Sequence, residues 1–221
     1  MKRSDMSDIL LAVDKVRPVG HSELERRLKA CAQNAEYLGC ISSGVNADAR
    51  KIALLTLLEL AEFAGLDTSA LALARTDKGK PYFASDGNDA VPEFSVSHTD
   101  KFVAAAISLQ GGVGVDIELG GSFDEDRLCK MAKRFFSDGE LTDFESAADR
   151  RREFLKIWTR KEAVSKYFGT GEPYAYDTRD TTLNFVSFKV GEGVLSLCFE
   201  GDRAVRIVEG SKKFIDLENR I

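Results

Sequence analysis

Alternating hydrophobic and polar positions predict a series of short strands along the chain. These strands fall at residues 9–16, 94–98, 102–109, 113–119, 183–190, 194–199 and 204–208. Apolar positions spaced three and four apart predict helices at residues 47–63, 124–134, from about 140, and 152–168, with a further helix beginning at Ser22. Because the strands are grouped in meanders and the helices are inserted singly, the pattern favours an α+β fold over a doubly wound sheet.

The glycine pair Gly111-Gly112 marks a tight turn close to the middle of the chain. A boundary at this turn divides the 221 residues into two halves of similar length. We therefore predict an N-terminal lobe at residues 1–110 and a C-terminal lobe at residues 111–221. A chain of this length can bury most of its apolar surface without disulfide bonds.

Charge and composition exclude several classes of function. The 31 basic and 36 acidic residues give a formal net charge of −5, which argues against a generic nucleic-acid binder. The chain contains no apolar run of about 18 residues, so the sequence predicts no transmembrane helix. Its four cysteines lie far apart and form no CxxC pair, which is typical of reduced thiols in a cytoplasm. We expect a cytoplasmic protein with neither a nucleic-acid nor a membrane partner.

The predicted strand at residues 113–119 carries two carboxylates on one face. Asp116 and Glu118 are two residues apart, so both point away from the face formed by its valines, isoleucine and leucine. Two such carboxylates can converge on a hard cation such as Mg²⁺, and Gly114 on the same face would leave room for a ligand. Taken alone, the pair is more typical of a solvated acidic strand face.

The predicted helix at residues 152–168 carries charged side chains next to its apolar stripe. Glu162 and Lys166 lie four residues apart on the border of the stripe, where a simple surface ion pair is the alternative interpretation. Lys161 falls inside the stripe, so its ammonium must either reach solvent or meet an anion. Earlier in the chain, Lys80 and His98 could each contact a phosphate. Taken singly, a solvated lysine and a structural histidine are the more usual interpretations.

Five segments in a fixed order carry a resemblance to a known family. They are Gly79-Lys80-Pro81-Tyr82, Phe94-Ser95-Val96-Ser97-His98, Gly114-Val115-Asp116-Ile117-Glu118, Arg134-Phe135-Phe136-Ser137 with Glu140, and the run from Trp158 to Lys166. Their order and spacing resemble the 4′-phosphopantetheinyl transferase superfamily. The length and the paired halves are similar to its Sfp-type branch, a monomeric pseudo-dimer of two similar α+β lobes.

This resemblance implies an activity and a set of site residues. The family moves the 4′-phosphopantetheine arm of coenzyme A to a serine of an apo acyl or peptidyl carrier protein and releases adenosine 3′,5′-bisphosphate. By resemblance, the magnesium ligands are Asp116, Glu118 and Glu162, and the catalytic residues are Glu162, Lys166 and Asp116. The coenzyme A contacts implied in the same way are Lys80, Ser97, His98, Lys161, Lys166 and Arg50. The resemblance places the nucleotide on the N-terminal lobe and the metal on the C-terminal lobe, and Mn²⁺ also fits oxygen ligands.

Two other functions remain open from the residues. One is a magnesium-dependent phosphodiesterase that uses the same three carboxylates, and the other is a carrier-binding module that has lost catalysis. The basic segments Lys130–Arg134 and Arg150–Arg152 suit an acidic carrier protein, and they are equally typical of solvated helix faces. The sequence leaves open whether the carrier serves fatty-acid or secondary-metabolite biosynthesis.

Overall fold

The computed structural model describes residues 9–19, 22, 26, 44–69, 71–84, 91–121 and 124–221, and of residues 217–220 the backbone alone. Its strands are β1 (Ile9–Lys15), β2 (Ala72–Arg75), β3 (Pro81–Ala84), β4 (Glu93–His98), β5 (Phe102–Ser108), β6 (Val113–Leu119), β7 (Asn184–Val190), β8 (Gly193–Phe199), β9 (Val205–Ile207) and β10 (Asp216–Arg220). Its α-helices are α1 (Ala47–Phe63), α2 (Glu125–Phe135), α3 (Asp138–Ser146) and α4 (Arg150–Phe168). The predicted helix that begins at Ser22 lies, apart from residues 22 and 26, outside the described residues.

The strands form two four-stranded sheets and a separate hairpin. The first sheet has the order β4-β5-β1-β9, the second has the order β10-β7-β8-β6, and β2 pairs with β3. Strand β9 follows β6, β7 and β8 of the second sheet in sequence. It nevertheless pairs in parallel with β1 of the first sheet. The chain therefore returns to the first sheet near its end, and the division at residue 110 stays a prediction.

The core lies between the two sheets and under the helices that cover them. Along β1, Ile9, Leu11 and Val13 face the second sheet, whereas Leu10 and Ala12 face α1. Helix α4 packs on β6 and β8, on the other side of the second sheet. This arrangement confirms the α+β fold class, and the likeness of the two lobes to each other stays a prediction. None of the described helices has the length and apolar character needed to cross a membrane.

The contact between α4 and β6 depends on a glycine. A Cβ atom placed on Gly114 would overlap the backbone carbonyl oxygen of Ala163 in α4. The expectation that Gly114 leaves room for a ligand is therefore wrong, because the helix backbone fills that space. Asp149 caps the N-terminus of α4, because its side chain accepts a hydrogen bond from the backbone N–H of Arg152. Gly169 caps the C-terminus in the left-handed conformation, with φ 67°.

Candidate active site

Three carboxylates border one cavity of about 400 Å³. Asp116 and Glu118 come from β6, and Glu162 comes from the facing helix α4. The cavity is lined by Arg50, Ala53, Leu54, Leu57, Arg75, Pro81, Val96, Ser97, His98, Asp116, Glu118, Glu162 and Lys166. It thus brings together residues of α1, the β2–β3 hairpin, β4, β6 and α4, which are far apart in the sequence.

Asp116 is the most constrained of the three carboxylates, with 3% of its surface exposed. Lys166 Nζ lies 2.6 Å from Asp116 Oδ1, and the Ser97 hydroxyl donates to the same oxygen at 2.8 Å. Lys166 also donates to Ser97 Oγ at 2.7 Å, which closes a three-membered network. The other oxygen, Asp116 Oδ2, is buried and has no hydrogen-bond partner.

Burial, and after it the crowding of negative charge, raises the pKa of the other two carboxylates. Burial, together with the charges of Asp116 and Glu162 and against the opposing charge of Lys166, raises the pKa of Glu118 to about 7. Burial and Asp116 likewise raise the pKa of Glu162. Carboxylates that disfavour one another's ionisation in this way are stabilised together by a bound cation.

The donor set suits a hard divalent cation in its chemistry. Carboxylate oxygens are the ligands that Mg²⁺ prefers, and the buried Asp116 Oδ2 is an acceptor that lacks a partner. Within the described part of the chain, no three histidine, cysteine, aspartate or glutamate side chains form a ready-made metal cluster. At Asp116 a cation is already present in the form of the Lys166 ammonium, and this ion pair differs from the predicted metal ligation.

Basic side chains from the first half of the chain line the same cavity. Arg50 comes from α1, Arg75 from β2 and His98 from the end of β4. Burial, followed by the nearby charges of Lys166 and Arg50, lowers the pKa of His98, so the imidazole favours its neutral form. The position of Arg75 at this cavity was missed in the sequence, where its place directly before the turn that holds Lys80 is the only signal.

A second cavity of about 270 Å³ adjoins the first, and both are lined by Glu162 and Lys166. Lys80 lines this second cavity rather than the first. Its ammonium donates to the backbone carbonyl of Tyr167 at 2.8 Å and lies 3.3 Å from Glu93. Lys80 therefore ties the β2–β3 hairpin to the C-terminal end of α4.

Comparison with known proteins finds a similarity over part of the chain. Residues 112–208, which hold the carboxylates and Lys166, match the family model described as the 4′-phosphopantetheinyl transferase superfamily. This part of the chain is similar to that superfamily. It is 36% identical over 110 residues to the 4′-phosphopantetheinyl transferase AcpT of Salmonella typhi, which is 48% of this chain and 54% of AcpT.

Other phosphopantetheinyl transferases match a similar stretch. The 4′-phosphopantetheinyl transferase gsp of Aneurinibacillus migulanus is 30% identical over 120 residues, which cover 53% of this chain and 46% of gsp. The human L-aminoadipate-semialdehyde dehydrogenase-phosphopantetheinyl transferase is 26% identical over 141 residues, which cover 60% of this chain and 46% of the human protein. The chain thus spans about half the length of the curated transferases that it matches.

One residue predicted for the transferase site lies elsewhere. Lys161 Nζ lies 2.7 Å from Glu140 Oε2, and each of the two side chains is only 1% exposed. The same ammonium donates to the backbone carbonyl of Tyr176, and Lys161 lines neither cavity. This placement differs from the predicted contact of Lys161 with coenzyme A, which stays a prediction. The anion that a lysine in a core stripe requires is supplied by α3.

Proposed function

We propose that the protein transfers the 4′-phosphopantetheine arm of coenzyme A to a serine of an apo acyl or peptidyl carrier protein and releases adenosine 3′,5′-bisphosphate. The observation that carries the proposal is a single cavity that is lined by both acidic and basic side chains. The acidic groups are Asp116, Glu118 and Glu162, and the basic groups include Arg50, Arg75 and His98. The phosphates of a nucleotide match the basic side chains. A pyrophosphate that requires a metal ion matches the acidic side chains.

The basic side chains would bind the nucleotide part of coenzyme A. Arg50 and Arg75 supply permanent positive charge for its phosphates, and a phosphate next to His98 would offset the lowering of the pKa of that imidazole. The acidic side chains would hold Mg²⁺, or Mn²⁺, through oxygen atoms. The bound cation would neutralise charge on the pyrophosphate oxygens.

Glu162 is suited to accept the proton of the carrier serine. Its raised pKa increases its basicity relative to an exposed glutamate, and it lines both cavities. In the transfer, the serine oxygen forms a bond to phosphorus as the bond to adenosine 3′,5′-bisphosphate breaks. Lys166, which also lines both cavities, would stabilise the negative charge on the departing phosphate.

The carrier protein would dock on the exposed basic residues of α2. Lys130, Lys133 and Arg134 are exposed on α2, and Arg134 also lies over the ring of Phe135. Arg151 is less suited to docking, because its guanidinium donates to the carbonyls of Gly120 and Gly121. We further propose that the enzyme is a cytoplasmic monomer of the Sfp type that serves fatty-acid or secondary-metabolite biosynthesis.

Mass spectrometry of the carrier tests the reaction. The purified protein is incubated with Mg²⁺, coenzyme A and a panel of apo carrier proteins, and we expect one carrier to gain the mass of one phosphopantetheine. Glu162→Gln should abolish the gain, because it removes the base and a metal ligand. Glu153→Gln is the matched control, since it makes the same change on the same helix at a residue that pairs with Lys156 and lines neither cavity.

Two other results would contradict the proposal. Cleavage of coenzyme A at the same rate without any carrier would indicate the phosphodiesterase instead. Metal-independent binding of apo carrier, with no mass gain on any carrier and no binding of coenzyme A, would indicate the carrier-binding module that has lost catalysis.

A further inference from the structure

Strand β4 directs two serine side chains towards the backbone of β6. The backbone N–H of Val115 donates to Ser95 Oγ at 3.1 Å, and that of Ile117 donates to Ser97 Oγ at 3.4 Å. Ser95 is 5% exposed and Ser97 is 6% exposed. The two serines therefore make the same backbone contact across the junction of the two sheets, in equally buried positions.

Of these two serines, only Ser97 also contacts Asp116 and Lys166, which line the first cavity. Its oxygen lies 2.8 Å from Asp116 Oδ1 and 2.7 Å from Lys166 Nζ. A hydroxyl has one proton and two acceptor lone pairs. The ammonium and the Ile117 N–H can only donate, so the serine proton must point at Asp116 Oδ1. The orientation of the hydroxyl is thus determined by its neighbours.

This arrangement leaves Ser97 no free hydrogen-bonding capacity. Its hydroxyl donates a hydrogen bond to Asp116, and its two lone pairs accept hydrogen bonds from Lys166 and Ile117. A contact of the Ser97 hydroxyl with coenzyme A, as the resemblance implied, would require one of these bonds to break. The side chain faces the carboxylate rather than offering an unused polar group to a ligand.

The two oxygens of Asp116 have different surroundings. Ser97 and Lys166 both bind Oδ1, whereas Oδ2 is buried without a hydrogen-bond partner. We propose that Ser97 is a positioning residue, which holds Asp116 by Oδ1 so that Oδ2 is presented to the divalent cation. The inference rests on the proposed function, because it takes Asp116 as a ligand of that cation. Groups that hydrogen-bond a metal ligand typically change metal affinity by about 10- to 100-fold when removed.

The test measures Mn²⁺ binding to the full chain without coenzyme A or carrier, by electron paramagnetic resonance of free Mn²⁺. Ser97→Ala should weaken binding by about tenfold or more, because the Asp116 carboxylate loses the donor that orients it. Ser97→Thr keeps the hydroxyl and should restore most of the affinity. Ser95→Ala is the matched control and should bind Mn²⁺ like the wild type.

Coenzyme A binding, measured by calorimetry without metal, separates the two roles of Ser97. A positioning residue leaves this affinity unchanged in Ser97→Ala. Mn²⁺ binding in Ser97→Ala equal to that in Ser95→Ala, or absent from the wild type, would overturn the inference. Weakened coenzyme A binding with unchanged Mn²⁺ binding would do the same and would restore Ser97 as a cofactor contact.

Further controls separate the positioning role from a folding defect and from the transferase proposal. If Ser97→Ala does not fold, the comparison of Ser97→Thr with the isosteric Ser97→Val isolates the hydroxyl at constant volume. If Ser97→Ala loses Mn²⁺ affinity while the wild type modifies no carrier, the positioning role stands and the transferase proposal fails.

Discussion

Lys166 is suited to two functions in the site. In the structure its ammonium lies 2.6 Å from Asp116 Oδ1, where it compensates the charge of a buried carboxylate. Its side chain is 31% exposed and lines both cavities, so the ammonium has access to other partners. A divalent cation at Asp116 would repel this ammonium and favour its movement towards a phosphate.

Replacement of Lys166 therefore has opposite effects on metal binding and on transfer. Lys166→Met should tighten Mn²⁺ binding in the absence of coenzyme A by at least about fivefold, since even in water a unit charge about 4 Å away contributes on the order of 1 kcal/mol. It should also reduce kcat, because the departing phosphate loses its cation. Electron paramagnetic resonance and carrier mass spectrometry measure the two effects.

Lys80→Met is the control for this change. It removes a lysine that lines the second cavity and bonds to the Tyr167 carbonyl, without touching Asp116. Its effect on Mn²⁺ affinity should be much smaller. Weaker Mn²⁺ binding in Lys166→Met than in the wild type would show that the lysine supports the metal ligands instead of competing with the cation.

Helices α3 and α4 are joined to the segment that follows α4 through one buried ion pair. Glu140 completes the capping box of α3 with Ser137, receives Lys161 of α4, and accepts from the backbone N–H and hydroxyl of Thr178. Lys161 in turn binds the carbonyl of Tyr176. The pair thereby fixes the segment after Gly169, which begins at the wall of the second cavity.

Breaking this pair should destabilise the protein strongly. Lys161→Met leaves the Glu140 carboxylate buried without its counter-charge, and we expect the free energy of unfolding to fall by about 3–5 kcal/mol. Lys156→Met is the comparison, because Lys156 pairs with Glu153 nearer the surface of the same helix and should cost at most about 1 kcal/mol. Urea unfolding followed by circular dichroism measures both changes. Similar losses in the two variants would show that burial adds nothing to the Lys161 pair.

The sequence predicted the long elements well because their signals are local. Helix α1 spans the predicted residues 47–63, and β6 spans the predicted residues 113–119. The hairpin strand β2 was missed, since four residues give too little alternation to detect. Strand β10 was missed because its polar sequence, Asp216–Arg220, pairs only at the edge of the second sheet.

The site was predicted in part for the same physical reason. Strand alternation paired Asp116 with Glu118, and helical spacing paired Glu162 with Lys166. The grouping of the two pairs in one site was implied by the family resemblance alone. The partner of Lys161 was not predictable, because Glu140 lies 21 residues away and only the packing of α3 against α4 brings it near. The place of Arg75 likewise depends on how the β2–β3 hairpin folds over the cavity.

The charge of the molecule as a whole is distributed in a way that suits an acidic partner. The net charge is −5, and exposed basic residues are nevertheless concentrated on the last turns of α2, at Lys130, Lys133 and Arg134. Only Leu128 and Ala132 of this helix are buried, so most of its surface is open to a partner. Such a basic surface on an acidic protein would steer an acidic carrier to one face while the rest of the surface repels it.

Reversing one of these charges should weaken carrier recognition without affecting the chemistry. We expect Lys133→Glu to raise KM for the carrier several-fold and to leave kcat and coenzyme A affinity unchanged, because Lys133 is exposed and lines neither cavity. The difference from the wild type should shrink as salt is added, since exposed charges are screened beyond about 10 Å at 0.1 M ionic strength. Lys101→Glu, on the exposed turn between β4 and β5, makes the same change away from α2 and should leave KM unaltered. An equal rise in KM in both variants would attribute the effect to net charge and would remove α2 as the docking surface.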